Sequence, residues 1–265
     1  MKINLIVPKI FSQNKILAGV TEKNTHLHPD GLSFGVTEQF DRSTVIKHRK
    51  LLADYLGVNL KDFVFLHQLH SDIVHIIDEV GNNDYDNFSS ISKFENSLLN
   101  NLDATWNGDA LITSVKGKVL GVKIADCAGI LIYDFKKEII SAVHSGWRGS
   151  AQRILPKTIA KMQEHFGSNP QDILVFISPL PDAPKYEVGK EVAELFPRST
   201  IITPDGKYYF DNRKELLFQL LESGVEQRNI EISTQCTVSN NNLHSYRRDK
   251  EKSGRMLAFI GMKTN

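Results

Sequence analysis

Between Ala110 and Val143 the chain carries four apolar runs, Ala110–Thr113, Val119–Ile124, Gly129–Tyr133 and Ile139–Val143, with only short turn segments between them. A helix needs about ten residues or more to cross a core, so runs this short and this close fit buried strands. They read as the central strands of one sheet. Further strands are expected at Ile3–Val7, Ile16–Val20, Phe63–Leu66, Ile73–Ile77, Ile173–Ile177, Ile230–Ser233 and Met256–Ile260. Helical periodicity appears at Ser43–Leu56, with Ser43 as candidate cap and Gly57 as stop, and at Ser150–Phe166, ending at Gly167. Two more helices are expected: Val188–Phe196, broken by Pro197, and Arg213–Ser223, capped by Gly224. The alternation is irregular, which favours an α+β or mixed α/β architecture over a doubly wound parallel one. The Asn-, Asp- and Ser-rich stretch Gly81–Asn101 reads as a surface excursion and not a linker, so residues 1–265 are expected to form a single domain.

Charge narrows the class of partner. The 32 basic and 31 acidic side chains leave a formal net charge of +1, too little for a global field that attracts nucleic acid or an anionic membrane. An anionic substrate must then be met by local arginines. The apolar stretch Ile3–Val7 is interrupted by Pro8 and Lys9 before a secretory core is complete, and no window reaches the roughly 18 apolar residues of a membrane span. Cys127 and Cys236 sit in unlike contexts, which argues against a disulfide framework. A reducing, cytoplasmic setting is the expectation.

Three polar groups interrupt the strand-like runs: His67-Gln68-Leu69-His70, Ala125-Asp126-Cys127, and the segment opened by His144-Ser145-Gly146-Trp147-Arg148-Gly149. All lie at expected strand ends, and strand ends of one sheet can converge. Two histidines and a Cys thiolate make a three-ligand zinc set that leaves a fourth position open, the catalytic type of site. Any one of these residues also has an ordinary reading, the histidines as satisfied polar residues and Cys127 as a small buried hydrophobe. No C-x-x-C, H-E-x-x-H or P-C-x-x-C spacing is present, so spacing alone stops at a metal or thiol site.

Six ordered motifs resemble the laccase-domain (YfiH-like) purine nucleoside phosphorylases, also known as polyphenol oxidases, from about residue 16 to residue 262. His67-Gln68-Leu69-His70 is similar to that family's H-Q-V-H, Asp109-Ala110-Leu111-Ile112-Thr113 to D-A-L-[IV]-T, and Ala125-Asp126-Cys127 to A-D-C. His144 to Gly149 matches H-[AS]-G-W-R-G, while Ser245-Tyr246-Arg247-Arg248-Asp249 and Ser253-Gly254-Arg255-Met256 resemble the closing S-Y-R-R-D and T-G-R-M. The resemblance implies a sandwich-like α/β fold with His70, Cys127 and His144 as zinc ligands and His67 as their neighbour. It also implies phosphorolysis of adenosine, inosine, guanosine and methylthioadenosine, and deamination of adenosine. Two departures stand out. The glycine after H-Q-V-H is Ser71, and the family's G-P-x-I-G-x-C-C-Y-E-V-G becomes the stretch from Ser178 to Gly189, without its cysteine and two of its glycines.

Phosphorolysis of a purine nucleoside requires cations for phosphate and a way to stabilise the leaving base. Arg148, Arg247 and Arg49 are the candidates, and for Arg49 a surface salt bridge is the favoured reading. Asp126 has two equal readings, orienting a metal ligand in the catalytic set or closing a strand with an Asx-turn. Three rivals use the same residues. A cysteine hydrolase would use Cys127 as nucleophile and His144 as base. A copper-dependent phenol oxidase would want many histidines, and the nine here are dispersed without an H-x-H pair. A non-enzymatic module with a structural zinc would need a fourth protein ligand.

Overall fold

The computed structural model describes residues 2–12, 16–77 and 106–264, so the expected excursion Gly81–Asn101 lies outside the described residues. Its strands are β1 (Leu5–Ile6), β2 (Ile16–Thr21), β3 (Phe63–Val64), β4 (Val74–Ile77), β5 (Ala110–Thr113), β6 (Val119–Ile124), β7 (Ala128–Asp134), β8 (Ile139–Ser145), β9 (Ile173–Ile177), β10 (Glu187–Val188), β11 (Thr200–Ile202), β12 (Tyr208–Phe210), β13 (Ile230–Ile232) and β14 (Met256–Met262). They form a five-stranded sheet in the order β1-β2-β14-β6-β3, a six-stranded sheet in the order β13-β9-β7-β8-β5-β4, and a small sheet β10-β12-β11. Most pairs are antiparallel, but β3–β6, β4–β5 and β9–β13 are parallel. The mixed α/β expectation therefore holds.

The four central runs do not share one sheet. β5, β7 and β8 are neighbours in the six-stranded sheet, whereas β6 crosses to the five-stranded one and the chain returns at Ala125-Asp126-Cys127. Apolar patterning could not separate these cases, because every one of the four strands is buried on both faces. Along β14, Met256, Ala258, Ile260 and Met262 enter the core between the two large sheets, while Leu257 and Phe259 enter the layer beneath the helix α1 (Arg42–Leu56), which contributes Leu52 and Ala53. On the far side of the six-stranded sheet, Ile130, Ile132, Val143 and Val175 pack on α3 (Ile154–Phe166) and α5 (Asn212–Glu222). The result is helix, sheet, sheet, helix, with one apolar layer between each pair.

Several boundaries differ from expectation for local reasons. Helix α1 is capped by Asp41, whose carboxylate accepts from the Thr44 amide, and not by Ser43. Gly57 does stop it, in the left-handed conformation. The expected helix Ser150–Phe166 is two, α2 (Trp147–Ala151) and α3, because Arg153 adopts φ +59° and turns the chain. The expected helix Val188–Phe196 shrinks to α4 (Lys190–Ala193), since Glu187 and Val188 pair with β12. Two elements were not anticipated: the β11–β12 hairpin and the short helix α6 (Tyr246–Asp249). Both cysteines are free, and among the described residues no helix is long and apolar enough to cross a membrane.

Candidate metal centre

Strand register brings the predicted donors together. In the antiparallel β7–β8 pair Ala128 faces Ser145, which sets Cys127 and Gly146 side by side just beyond the ladder. A Cβ on Gly146 would come within 2.7 Å of Cys127 Sγ, so that position accepts no side chain without displacing the thiol. His144 lies on the face of β8 that also carries Ile140 and Ala142, pointing between the sheets. In the neighbouring β5–β8 pair Ala110 faces Val143, so Asp109 stands opposite His144 and its carbonyl accepts from the His144 amide at 2.7 Å. His70 arrives from the loop between β3 and β4 with φ +59°, and the crossover residue Asp126 has φ +87°. Left-handed residues other than glycine are uncommon and cluster where geometry is imposed by the surroundings.

The donor atoms of His70, Cys127 and His144 all lie within 4.8 Å of one another. Cys127 Sγ is 3.9 Å from His70 Nε2, and the two imidazoles meet edge to face at 4.9 Å between centroids. A tetrahedral zinc with nitrogen and sulfur ligands holds its donors about 3.5 Å apart, so modest side-chain movement closes this set on a metal. Behind the donors, the fully buried carboxylate of Asp109 accepts from His144 Nδ1 at 2.8 Å, which leaves Nε2 to face the centre. The same carboxylate accepts from the Leu69, His70 and Ser71 amides at 3.2, 3.1 and 2.6 Å and from Ser71 Oγ at 2.6 Å. Burial works to raise the Asp109 pKa, but the hydrogen bonds from His144 and Ser71 outweigh it and hold the carboxyl at about 2. Burial likewise opposes ionisation of Cys127 and His144. Each favours the charged form of the other, Asp109 adds to the effect on His144 and His70 to that on Cys127, and the thiol is lowered while the imidazole is raised.

A cleft of about 700 Å³ opens on the donors, within the range of small-ligand sites. His67 and Gln68 line it, as do Arg42, Lys123 and Arg255, and its described lining contains no carboxylate. The other predicted residues, Arg148, Arg247, Asp126 and Arg49, are not among its lining side chains. Arg148 is exposed and lies over the Trp147 ring, 4.2 Å from its centroid. Arg247 donates to the Glu187 carbonyl at 2.9 Å and lies 4.8 Å from the centroid of Tyr186. Burial and the nearby Cys127 raise the Tyr186 hydroxyl well above its ordinary pKa. Asp126 accepts from Thr237 Oγ1, Ser245 Oγ and the Arg247 amide at 2.6, 2.7 and 2.6 Å, and so anchors the start of α6 beside the cleft.

Arg49 does not lie at the surface, as a surface salt bridge would require. It is 2% exposed, donates through Nε and Nη2 to the Phe34 carbonyl, and stacks 3.9 Å from the centroid of Phe65. Sequence reasoning also passed over Asp109, Lys123 and Arg255. Each had a signal, a charge standing at or beside the end of an apolar run, and Asp109 and Arg255 were inside recognised motifs.

Comparison with known proteins follows the same outline. The chain is 35% identical over 237 residues to a purine nucleoside phosphorylase of Clostridium acetobutylicum, covering 87% of each. It is 31% identical over 230 residues to the adenosine deaminase RL5 of an unknown prokaryotic organism, covering 83% of this chain and 82% of that one. The crystal structure of the Bacillus licheniformis protein YfiH superposes with a TM-score of 0.85 at 27% identity, over 98% of this chain and 96% of that one. The sequence profile of the multi-copper polyphenol oxidoreductase laccases matches residues 17–263, and the chain belongs to that family.

Proposed function

We propose that this protein is a zinc-dependent purine nucleoside phosphorylase, acting on adenosine, inosine, guanosine and methylthioadenosine, with adenosine deamination as a second activity. One observation carries the reading: a His70–Cys127–His144 donor set, backed by a buried carboxylate, opens into a cleft whose charged lining is cationic. Residues 1–265 are read as one domain, because the core between the sheets draws on Phe11 and Val20 from one end of the chain and Met262 from the other. Among the described residues a single cluster has metal-binding geometry, which supports one metal and speaks against a multi-copper centre. With two nitrogens and one thiolate the set suits zinc. When bound, zinc supplies Lewis acidity at the reacting group.

The chain's own residues would do the rest. Arg42, Lys123 and Arg255 hold the phosphate as its oxygen forms a bond to the ribosyl C1′ and the glycosidic bond to the purine breaks. His67 stands on the wall beside the donors as a substrate contact. Arg148 and Arg247, each over an aromatic ring and outside that lining, would bring further positive charge to an anionic group. Asp126 is assigned a positioning part, since its carboxylate is engaged with Thr237, Ser245 and the Arg247 amide. Arg49 is assigned to the core.

A second reading, the cysteine hydrolase, has the Asp109–His144 hydrogen bond and the lowered Cys127 thiol in its favour, since Cys, His and Asp in that order make a nucleophilic triad. Metal analysis of anaerobically purified wild type and Cys127→Ala separates the two, coupled to adenosine and inosine turnover with and without phosphate. The phosphorylase reading expects about one zinc per chain and phosphate-dependent base release, both lost in the variant. A metal-free wild type that turns over substrate and is killed by thiol alkylation leaves the hydrolase.

A further inference from the structure

We infer that Asp109 is the positioning residue that sets the donor geometry of the centre, and that the Ser71 hydroxyl reinforces this clamp. The inference rests on the metal reading above and extends it to two residues with no assigned part.

The argument starts from counting acceptors. A carboxylate has two oxygens and about four lone-pair sites. Asp109 Oδ1 serves His144 Nδ1 and the His70 amide, while Oδ2 serves the Leu69 and Ser71 amides and the Ser71 hydroxyl. One fully buried side chain therefore touches both proposed histidine ligands, His144 by its ring and His70 by its backbone. The first contact fixes which His144 nitrogen carries the proton and so which one faces the centre. The second holds His70 in its left-handed conformation, which a residue with a Cβ disfavours. Gln152 adds a support from α2, donating to the His70 carbonyl at 3.0 Å.

Ser71 stands where the family pattern has glycine. A glycine could give Asp109 its amide but not the hydroxyl bond, and bonds to a carboxylate are about twice as strong as neutral ones. The same Ser71 Oγ accepts from the Ile73 amide at 3.3 Å, tying the donor loop to the entry of β4. Ser71 thus gives Asp109 a hydroxyl bond beyond the amide bond that a glycine could make.

Asp109→Asn is the discriminating variant. It keeps the shape but turns one oxygen into a donor, so whichever way the amide lies it opposes N–H groups that the carboxylate accepts. Co2+ serves as the probe, with affinity read by chelator competition, geometry by the thiolate-to-cobalt absorption band, and folding by melting of the metal-free protein. Separately, imidazole nitrogen NMR of the metal-free protein at pH 10 reads the His144 tautomer. The clamp predicts a 10–100-fold loss of Co2+ affinity in Asp109→Asn with a shifted band, a loss of about three- to tenfold in Ser71→Gly, and an Nδ1–H tautomer in wild type that becomes mixed in Asp109→Asn. Wild-type affinity, band and tautomer in Asp109→Asn would overturn it. Should that variant fail to fold, Ser71→Gly decides, and unchanged Co2+ affinity there sinks the inference. If wild type binds no Co2+, the metal reading falls, and the tautomer comparison alone then supports or overturns the clamp.

Discussion

Two buried aspartates sit on the six-stranded sheet, and they do different work. Asp134, at the end of β7, uses Oδ1 to accept from the Lys136 and Lys137 amides at 2.9 Å each, while its Oδ2 finds no hydrogen-bond partner among the described residues. It closes a turn, and all its partners lie within three residues. Asp109, before β5 at the opposite end of the sheet, gathers the 69–71 loop and a side chain from β8. Both are fully buried, so burial does not mark the site. What marks it is how many separate elements converge on one polar group, because each added partner must be held in place by its own packing.

The comparison breaks if exchanging either carboxylate for an amide has the same effect on function. Asp109→Asn is expected to lower kcat/KM for inosine with phosphate by about 100-fold or more, through loss of donor geometry. Asp134→Asn retains an oxygen for the two amides. It should leave kcat/KM within twofold and change unfolding free energy by about 1 kcal/mol. Steady-state kinetics and urea unfolding of both variants check this pair.

The same contrast explains what the sequence made readable. Strand runs and the three polar groups that hold the donors stood out because apolar stretches with a polar break are visible in one dimension, the choice of His70 over His67 coming only with the family resemblance, and β14 shows two cores through simple alternation from Met256 to Met262. The sheet to which β6 belongs was hidden, because a strand buried on both faces carries no mark of its neighbour. Asp109 was legible as a motif letter but not as a hub, since its partners lie 35 to 40 residues away in sequence. The β11–β12 hairpin did leave a signal, Thr203-Pro204-Asp205-Gly206, with Gly206 at φ +80° as such a turn requires. It was missed because Tyr208–Phe210 is too short to show a period.

Gly146 sharpens the comparison at the thiol. Its backbone is extended, with φ −84°, so alanine adds no backbone strain there; the cost falls on the 2.7 Å approach to Cys127 Sγ. Gly146→Ala should reduce turnover 10–100-fold, as ångström-scale misplacement of a reacting group does, while the melting temperature moves little. A variant that lost stability but kept its activity would mean that the glycine serves folding alone.

Two arginines repeat the pattern of the aspartates with smaller effects. Arg255 lines the cleft and is held by its own neighbourhood, the Ser253 and Gly254 carbonyls at 2.8 and 3.0 Å. Arg49 is enclosed between the Phe34 carbonyl and the Phe65 ring. Arg255→Ala should raise the KM for phosphate about tenfold with little change in the KM for inosine. Arg49→Met should leave both KM values alone and destabilise the fold by about 2–3 kcal/mol, through a buried carbonyl deprived of its donor and a lost cation–π contact. Opposite assignments in the two assays would reverse the roles of the two side chains.

The smallest expected effect on turnover concerns two buried histidines, whose contrast is read in stability. His144 hydrogen-bonds a carboxylate and its pKa is raised; His244 hydrogen-bonds only neutral backbone groups and is lowered to about 4, first by burial, against which its bond to Leu32 acts, with Lys23 and Arg255 adding to the lowering and Asp249 opposing it. Its Nε2 donates to the Leu32 carbonyl at 3.0 Å and its Nδ1 accepts from the Gly254 amide at 3.2 Å, a full set for the neutral ring. A proton on Nδ1 would face that amide. Since the unfolded chain binds this proton near pH 6.5 and the folded chain only near 4, the unfolded state holds more protons between those values, and stability rises with pH there. The neutral His244 therefore contributes fully above pH 6.5, and its contribution is lost on acidification at about 1.4 kcal/mol per pH unit until the folded pKa is reached. His48, buried with Nδ1 3.0 and 3.1 Å from the Ser33 amide and carbonyl and its pKa also lowered, first by burial, adds in the same direction. Urea unfolding at pH 7, 6, 5 and 4.5 should show this slope in wild type, and His244→Asn should be less stable at pH 7 but have a shallower slope below 6.5. An unchanged slope in the variant would move the acid sensitivity elsewhere, to the carboxylates, and leave His244 without a measurable part in it.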